Sequence, residues 1–481
     1  MINQFASARG PESFCFPRLS PEQCNRIHEA SLEILDRVGV RLYLEEAVDL
    51  LRKAGARVND GNLVHLSSNL VERALSTAPR QITLYDRNGS PAMPLGGYRC
   101  FCGPGSDCLN ILDHRTNERR KPLLQDLKEG VTLCDFLPHI DYVMSMVLPS
   151  DVDGTIADRY QMEAMLSYSK KPVIYVAYDA EGCRDAVEMA EAVAGGAEAL
   201  QRTPFIACYI NAVSGLRHNR EALEKLLYLA SRNLPSLYIP ASTAAITSPV
   251  TPAGSLALDF AGVLVGLVLS QLKREGAPVI ISGMPPGGTL DMRTMVLSYA
   301  EAERTIGTAL GRHYGLPMFA VGGASESKAA DQQAAAEAAL SLLVEVLAGG
   351  NIIHDLGYLE SGLTFSFAQL VLCDEIVSWT NAFAREYEVN EETLALDVIA
   401  EIGPDGDFLN TDHTLNHYRE RWYPTFFERT NYETWMGKGG KNFAARARDE
   451  INSILERHQP ELLPADLRDR LRQLVQRARV G

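Results

Sequence analysis

The chain has 481 residues, 46% hydrophobic and 22% charged, enough to bury a large core as one barrel with extensions or as two to three smaller domains. Its 46 basic and 61 acidic residues leave a net charge of −15, which argues against nucleic acid or an anionic membrane as the main partner and suits a small cation. Nine scattered cysteines, at 15, 24, 100, 102, 108, 134, 183, 208 and 373, fit free thiols in a reducing cytoplasm better than a disulfide framework.

The opening MINQFASARGPESFCF lacks the basic start and apolar core of a signal peptide. LSPEQCNRIHEASLEILDRVGV then carries apolar residues at helical spacing, with Ser20 as N-cap, Pro21 at the first helical position and Gln23 completing a capping box. EEAVDLLRKAG and SSNLVERALSTAP extend a helical region to about residue 80, and ITLYDR with the segment to Tyr98 predicts a pair of strands.

From about residue 99 short apolar runs alternate with helical patterns. The runs are 99–102, 142–147, 173–176, 205–210, 236–239, 279–282, 318–321 and 351–353. Eight such units in this length predict a (β/α)₈ TIM barrel, with a doubly wound open sheet as the competing arrangement. Several runs are entered through proline (Pro172, Pro204, Pro235, Pro278, Pro317), where a missing amide donor does little harm. The apolar stretch Ser255 to Leu272 contains Asp259 with several glycines and serines, and predicts a buried helix rather than a membrane span. The division is then residues 1–98, an N-terminal helical region and hairpin; 99–389, the barrel; and 390–481, a C-terminal helical extension that can cover the barrel or join subunits in a homo-oligomer.

In such a barrel the residues at the C-terminal strand ends face a shared mouth. They include Tyr178, Asn211, Ser242, Ser325, Glu326, His354, Asp355 and Tyr358. His354 is the histidine at a strand end, and with Glu326 or Asp355 it can form a general acid–base pair, or it can be a structural imidazole. Tyr178, Tyr358 and Phe365, with Tyr98 from the hairpin, can bring aromatic faces to the mouth, which suits a quaternary ammonium; packing beneath the loops is the bland alternative. Schiff-base lysine placement, nucleophile elbow, HExxH and phosphate-loop signatures are all missing. Gly-rich stretches at 283–288 and 322–323 lack the spacing of a phosphate cradle, and Cys100, Cys102 and Cys108 lack a partner set for zinc, so no metal site is expected.

The ordered series LSPEQCNRIHEASLEILDRVGV, GPGSDCLNILDHRTNERRKPLLQDL, ITSPVTPAGSLAL, ISGMPPGGTLDMRT, GGASESKAADQQAAAEAA, NIIHDLGYLESGLTFSFAQLVLCDEI and WMGKGGKNFAARARDEINSIL spans nearly the whole chain. It resembles the trimethylamine methyltransferase family of corrinoid-dependent enzymes, and most the branch without pyrrolysine that includes glycine betaine methyltransferase. The resemblance implies methyl transfer from a methylated amine to the Co(I) corrinoid (cobalamin type) of a small partner protein, with no cofactor bound permanently to this chain. Archaeal members that use trimethylamine carry pyrrolysine near the end of the seventh strand; here the stretch reads Val321-Gly322-Gly323-Ala324, so that electrophile is absent. A betaine-like quaternary amine is the expected substrate, with His354 contacting its other end. The segment Asp259-Phe260-Ala261-Gly262 departs from the glutamate expected after an Asn-Ala pair, so the substrate is expected to differ from glycine betaine. A non-catalytic barrel binding an osmolyte or corrinoid is the rival from another class, and a lyase or hydrolase using His354 with Glu326 is a third.

Overall fold

The computed structural model describes residues 15–284, 288–299 and 304–480. Its centre is a seven-stranded parallel sheet of β1 (Phe101–Pro104), β2 (Val173–Val176), β3 (Ile206–Ala212), β4 (Ser236–Pro240), β5 (Val279–Ser282), β6 (Met318–Val321) and β7 (Ile352–Leu356). The sheet runs in chain order from β2 to β7, and β7 then pairs with β1. The gap between β1 and β2 is filled by residues 141–147. There the Asp141 N–H donates to the Cys102 carbonyl (2.7 Å), the Val143 N–H to the Pro172 carbonyl (2.9 Å), and the Ile174 N–H to the Val143 carbonyl (3.0 Å). The second predicted run, 142–147, thus closes the ring without becoming a regular strand. The Asp141 carboxylate accepts the Cys102 N–H (2.7 Å) that a ladder would have used, and Met146 turns to φ +51°.

This is an α/β barrel, and its interior is a separate apolar cluster. Phe101, Tyr142, Met144, Ile174, Ala207, Tyr209, Leu237, Ile239, Ile280, Phe319 and Ile352 fill it, in the period-two alternation that points every second strand residue inward. The predicted hairpin, Ile82–Tyr85 with Pro91–Leu95, contributes Ile82, Leu84, Met93 and Leu95 to the same cluster and plugs the N-terminal end. Among the described residues, the end opposite this plug is the one that carries the polar strand ends.

The helices after the strands start where short polar side chains cap them. Asp179 accepts the Gly182 N–H (2.7 Å) ahead of Ala180–Ala194, Asp331 the Ala334 N–H (3.1 Å) ahead of Gln332–Ala348, and Ser366 the Gln369 N–H (3.3 Å) ahead of Phe367–Ala384. Gly195 and Gly349, both at φ +84°, end the first two. Helix Pro252–Lys273 is long and apolar enough to cross a membrane by length and composition, yet 83% of its apolar window is buried inside this fold. It serves as a core element against which helices Pro21–Glu33 and Ser68–Thr77 pack. The capping box predicted at Ser20 and Gln23 is present.

Two expectations differ. The N-terminal region is not only helical: Val40–Leu42, Arg57–Asn59 and Leu63–His65 form a small sheet joined by Arg217–His218 from the β3 loop. Between the sixth and seventh runs the pattern LSYAEAERTIGTALGRHYG predicts one helix; the structure is helical over Ile306–Tyr314, Val296–Ser298 pairs with Thr289–Asp291 as a hairpin, and residues 300–303 lie outside the described ones. Of the glycine-rich 283–288 stretch, residues 285–287 likewise lie outside them. One apolar cluster runs from Cys24 through the outer barrel layer to Val475, so the terminal segments share a core with the barrel.

Candidate active site at the barrel mouth

The polarity switch at the end of β7 places His354 and Asp355 in the mouth, both nearly buried at 5% and 4% exposure. The pairing of β7 with β1 shifts register between Ile353 and Leu356, and Asp355 sits at φ +82°, a left-handed conformation unusual for a residue with a side chain. That bulge re-aims the Asp355 carboxyl toward its neighbour. The His354 Nδ1–H donates to the Ala320 carbonyl (2.8 Å), which leaves Nε2 with its lone pair facing Asp355 Oδ1 at 3.2 Å. Burial pushes the imidazole down to about 3 and the carboxyl up to about 8. Burial thus favours the neutral form of each at pH 7, so the 3.2 Å approach is a contact between two neutral groups rather than an ion pair. The imidazole also lies on Phe319, with ring centroids 3.9 Å apart.

Around this pair stand phenols. Tyr209, from β3, lies 6.2 Å from the His354 ring and 5.2 Å from Phe319, and its hydroxyl is bonded to the Asn211 side chain. Tyr358 donates its hydroxyl to the Ser106 carbonyl. Tyr299 is pushed up to about 12 by burial and by Asp355 and Cys108 nearby. Tyr178 is 37% exposed at the rim and feels the carboxylates of Asp107 and Asp158. Asp107 accepts from Ser145 Oγ (2.8 Å) and Gln161 Nε2 (2.9 Å), yet burial still pushes it up. The buried Arg304 donates to the Tyr299 and Val321 carbonyls and is the charged group that most opposes the upward shift of Asp355. Gly105 makes the close packing here feasible, because a Cβ at that position would collide with the Asp355 carboxylate and the Tyr358 phenol.

The mouth therefore gathers His354, Asp355, Tyr358, Tyr178 and Asn211 of the residues expected there, and does not gather five others. Tyr98 is at the wrong end: it precedes β1 beside the hairpin plug, stacks under Arg312 (3.8 Å) and abuts Gly349, which leads into β7. Glu326 does not meet His354; its carboxylate accepts from Ser298 Oγ and from the Tyr299 N–H (3.1 Å), which ties the 289–298 hairpin to the mouth. Ser242 is fully buried, accepting the Gly215 N–H (3.0 Å) while its own N–H reaches Asp259 (3.2 Å). Ser325 is also fully buried and donates to Glu337 (2.6 Å), shaping its loop. Phe365 is enclosed between Tyr358 (6.5 Å) and Phe367 (6.1 Å) beneath the loop, which is the packing alternative. His354 commits its Nδ1–H to the Ala320 carbonyl, which leaves Nε2 as an acceptor with no proton to offer a substrate carboxylate.

Sequence reasoning passed over Tyr209, Tyr299, Asp107 and Arg304. The first was accessible, because Tyr209 is two residues before Asn211 on the same strand and shares its face. Among the described residues no three His, Cys, Asp or Glu side chains gather to hold a metal ion. The nine cysteines are free thiols, all buried except Cys15, and Cys100 and Cys108 contact separate carbonyls.

Residues 12–481 match the trimethylamine methyltransferase (MTTB) family. The chain belongs to that family. It is 32% identical over 470 residues to the trimethylamine methyltransferase MttB of Desulfitobacterium hafniense (strain DSM 10664 / DCB-2), covering 97% of this chain and 94% of the relative. To the glycine betaine methyltransferase of Desulfitobacterium hafniense (strain Y51) it is 29% identical, with 95% and 96% covered. The trimethylamine methyltransferase MttB1 of Methanosarcina mazei is 28% identical, with 95% and 94% covered. Among solved structures, the Methanosarcina barkeri monomethylamine methyltransferase MtmB aligns at a TM-score of 0.49 and 11% identity, covering 92% of this chain and 89% of that one.

Proposed function

We propose that this protein moves an N-methyl group from a quaternary amine of the betaine class to the Co(I) corrinoid of a partner protein. The observation that carries the reading is the neutral His354–Asp355 pair ringed by Tyr209, Tyr299 and Tyr358. This wall offers ring faces and a carboxyl to a cation, and no group in it is poised as a nucleophile.

Such chemistry asks little of the chain beyond positioning. The carbon–nitrogen bond breaks with both electrons staying on nitrogen, so the leaving group is a neutral tertiary amine and needs no proton. The methyl is taken up by the Co(I) of the partner's corrinoid, the second substrate. What this chain supplies is a dry, shaped mouth that holds the onium group and aims one methyl outward. Asn211, exposed at the rim, and the guanidinium of Arg304 are the donors available to an anionic end of the substrate.

The rim supports docking of a carrier. Ala244 bridges to Thr289, joining the 244–250 loop to the 289–298 hairpin, and Ile246, Val250, Met292, Met295, Val296 and Leu297 lie exposed along it. That apolar collar above the mouth suits the approach of a partner carrying a flat macrocycle. The buried free thiols accord with a reducing compartment such as the cytoplasm.

The test is a panel of glycine betaine, carnitine, choline and trimethylamine incubated with the protein and cob(I)alamin, followed by the loss of the Co(I) absorbance. Turnover with one of the quaternary amines supports the reading. Tight binding of a betaine without transfer would favour the non-catalytic binding barrel instead, and neither binding nor transfer would remove both.

A further inference from the structure

The chain beyond β1 and β7 meets the C-terminal extension around a cavity of about 170 Å³. Strand Asn110–Leu112 pairs with Thr364–Ser366, Leu112 opposite Ser366, which brings the start of helix Phe367–Ala384 to one wall through Ser366 and Ala368. Ala329 and Ala330, which lead into helix Gln332–Ala348, line a second. Two long helices therefore turn their positive ends toward one space.

His114 lines the same cavity and is only 7% exposed. Its ring rests on Phe367, with centroids 5.2 Å apart, and its buried Nε2 has no hydrogen-bond partner in the protein. A buried polar atom left this way calls for a partner from outside the chain. Burial, with Arg115 nearby, holds the imidazole below its ordinary range, so at pH 7 it is neutral and keeps one N–H to donate. Helix Phe443–Arg457 supplies Arg448, exposed and without an ion pair among the described residues.

The carboxylates close to the cavity are already occupied. Asp113 accepts from Arg120 Nε (2.9 Å) and Nη2 (2.7 Å) and from the Arg115 (2.8 Å) and Thr116 (3.0 Å) N–H groups. Burial opposes its charge, yet these bonds hold it down to about 2. Asp331 is likewise taken by the Ala334 N–H (3.1 Å) and Ser327 Oγ (2.9 Å).

We propose that this cavity binds a small phosphate-type oxyanion between His114, Arg448 and the N-terminal end of helix Phe367–Ala384. The site is separate from the methyl donor's, and its ligand ties the C-terminal extension to the barrel. Donors that come from an imidazole, a guanidinium and a helix end suit a tetrahedral anion with three or four oxygens better than a planar carboxylate with two. The volume is that of about five or six waters, room for phosphate and a small ester group.

The experiment is calorimetry of the full chain, without amine or corrinoid, against inorganic phosphate, glycerol phosphate and acetate. One site is expected, with a dissociation constant at or below about 1 mM for a phosphate and weaker binding of acetate. Tighter binding of glycerol phosphate than of phosphate supports an ester as the ligand, and the reverse supports the free ion. Arg448→Ala, at an exposed position, should weaken binding by about tenfold or more. His114→Phe keeps a ring on Phe367 and should weaken it similarly, while His114→Gln restores a donor and part of the affinity. No heat up to about 10 mM phosphate, acetate binding as tightly as phosphate, or wild-type affinity in either Arg448→Ala or His114→Phe would overturn the proposal. The Arg448→Ala readout does not depend on a core substitution folding.

Discussion

His354 Nε2 and Asp355 Oδ1 lie 3.2 Å apart with both side chains nearly out of reach of water, and burial opposes charge on each. Burial keeps a proton on the carboxyl and leaves the imidazole neutral, its Nδ1–H committed to Ala320. The pair is neutral in the free protein.

That neutrality predicts a pH-dependent affinity. A quaternary ammonium beside Asp355 favours the carboxylate, whereas the free protein holds the proton up to about pH 8. The dissociation constant should therefore fall as pH rises, by at most about tenfold per pH unit below 8, and level off above it. Calorimetry in buffers of different ionisation enthalpy should show release of up to about one proton per ligand at pH 7. Asp355→Asn should flatten the profile; a profile that stays steep in that variant would place the titrating group elsewhere.

The two ends of the barrel predict opposite outcomes for two tyrosines. Tyr178→Leu removes a ring at the rim and should weaken quaternary ammonium binding by about 1–2 kcal/mol, roughly 5–30-fold. Tyr98→Leu removes a ring stacked under Arg312 beside the plugged end, and should lower the melting temperature while leaving the dissociation constant within about twofold. The reverse pattern in a binding titration would mean the ligand enters from the hairpin side.

Gly105 faces the Asp355 carboxylate and the Tyr358 phenol so closely that a single methyl must displace one of them. Gly105→Ala should keep the overall circular dichroism and lose most binding, with a stability cost of about 1–3 kcal/mol from overpacking. Denaturant titration alongside calorimetry separates the two effects.

The collar predicts a split between the substrates. Met292 and Met295 are exposed at 66% and 64% on the hairpin, so Met295→Glu should leave betaine affinity unchanged. The same variant should raise the KM for a corrinoid protein by about tenfold or more, the scale of one lost apolar contact plus an unpaired charge. An unchanged KM would move the docking surface away from the hairpin.

Much of this protein could be read along the chain because its barrel is repetitive. Each run such as Val173-Ile174-Tyr175-Val176 or Val279-Ile280-Ile281-Ser282 is buried on both faces, so it is continuously apolar and bounded by turn residues and proline. The switch from Ile353 to His354-Asp355 announces the mouth for the same reason. Glu326, Ser242 and Ser325 stand at strand ends like functional residues, yet their polar atoms are taken by Ser298, Gly215 and Glu337, which lie 28, 27 and 12 residues away. Spacing cannot reveal such partners.

The linear order of residues determined the barrel, its eight units and the polar switch at the end of β7, because burial imposes local periodicity that survives in one dimension. Three-dimensional folding decided which polar groups remain available, which end of the barrel is plugged and whether a histidine beside an aspartate is charged. Those outcomes depend on dehydration and on contacts between distant segments, and neither is encoded in any single stretch.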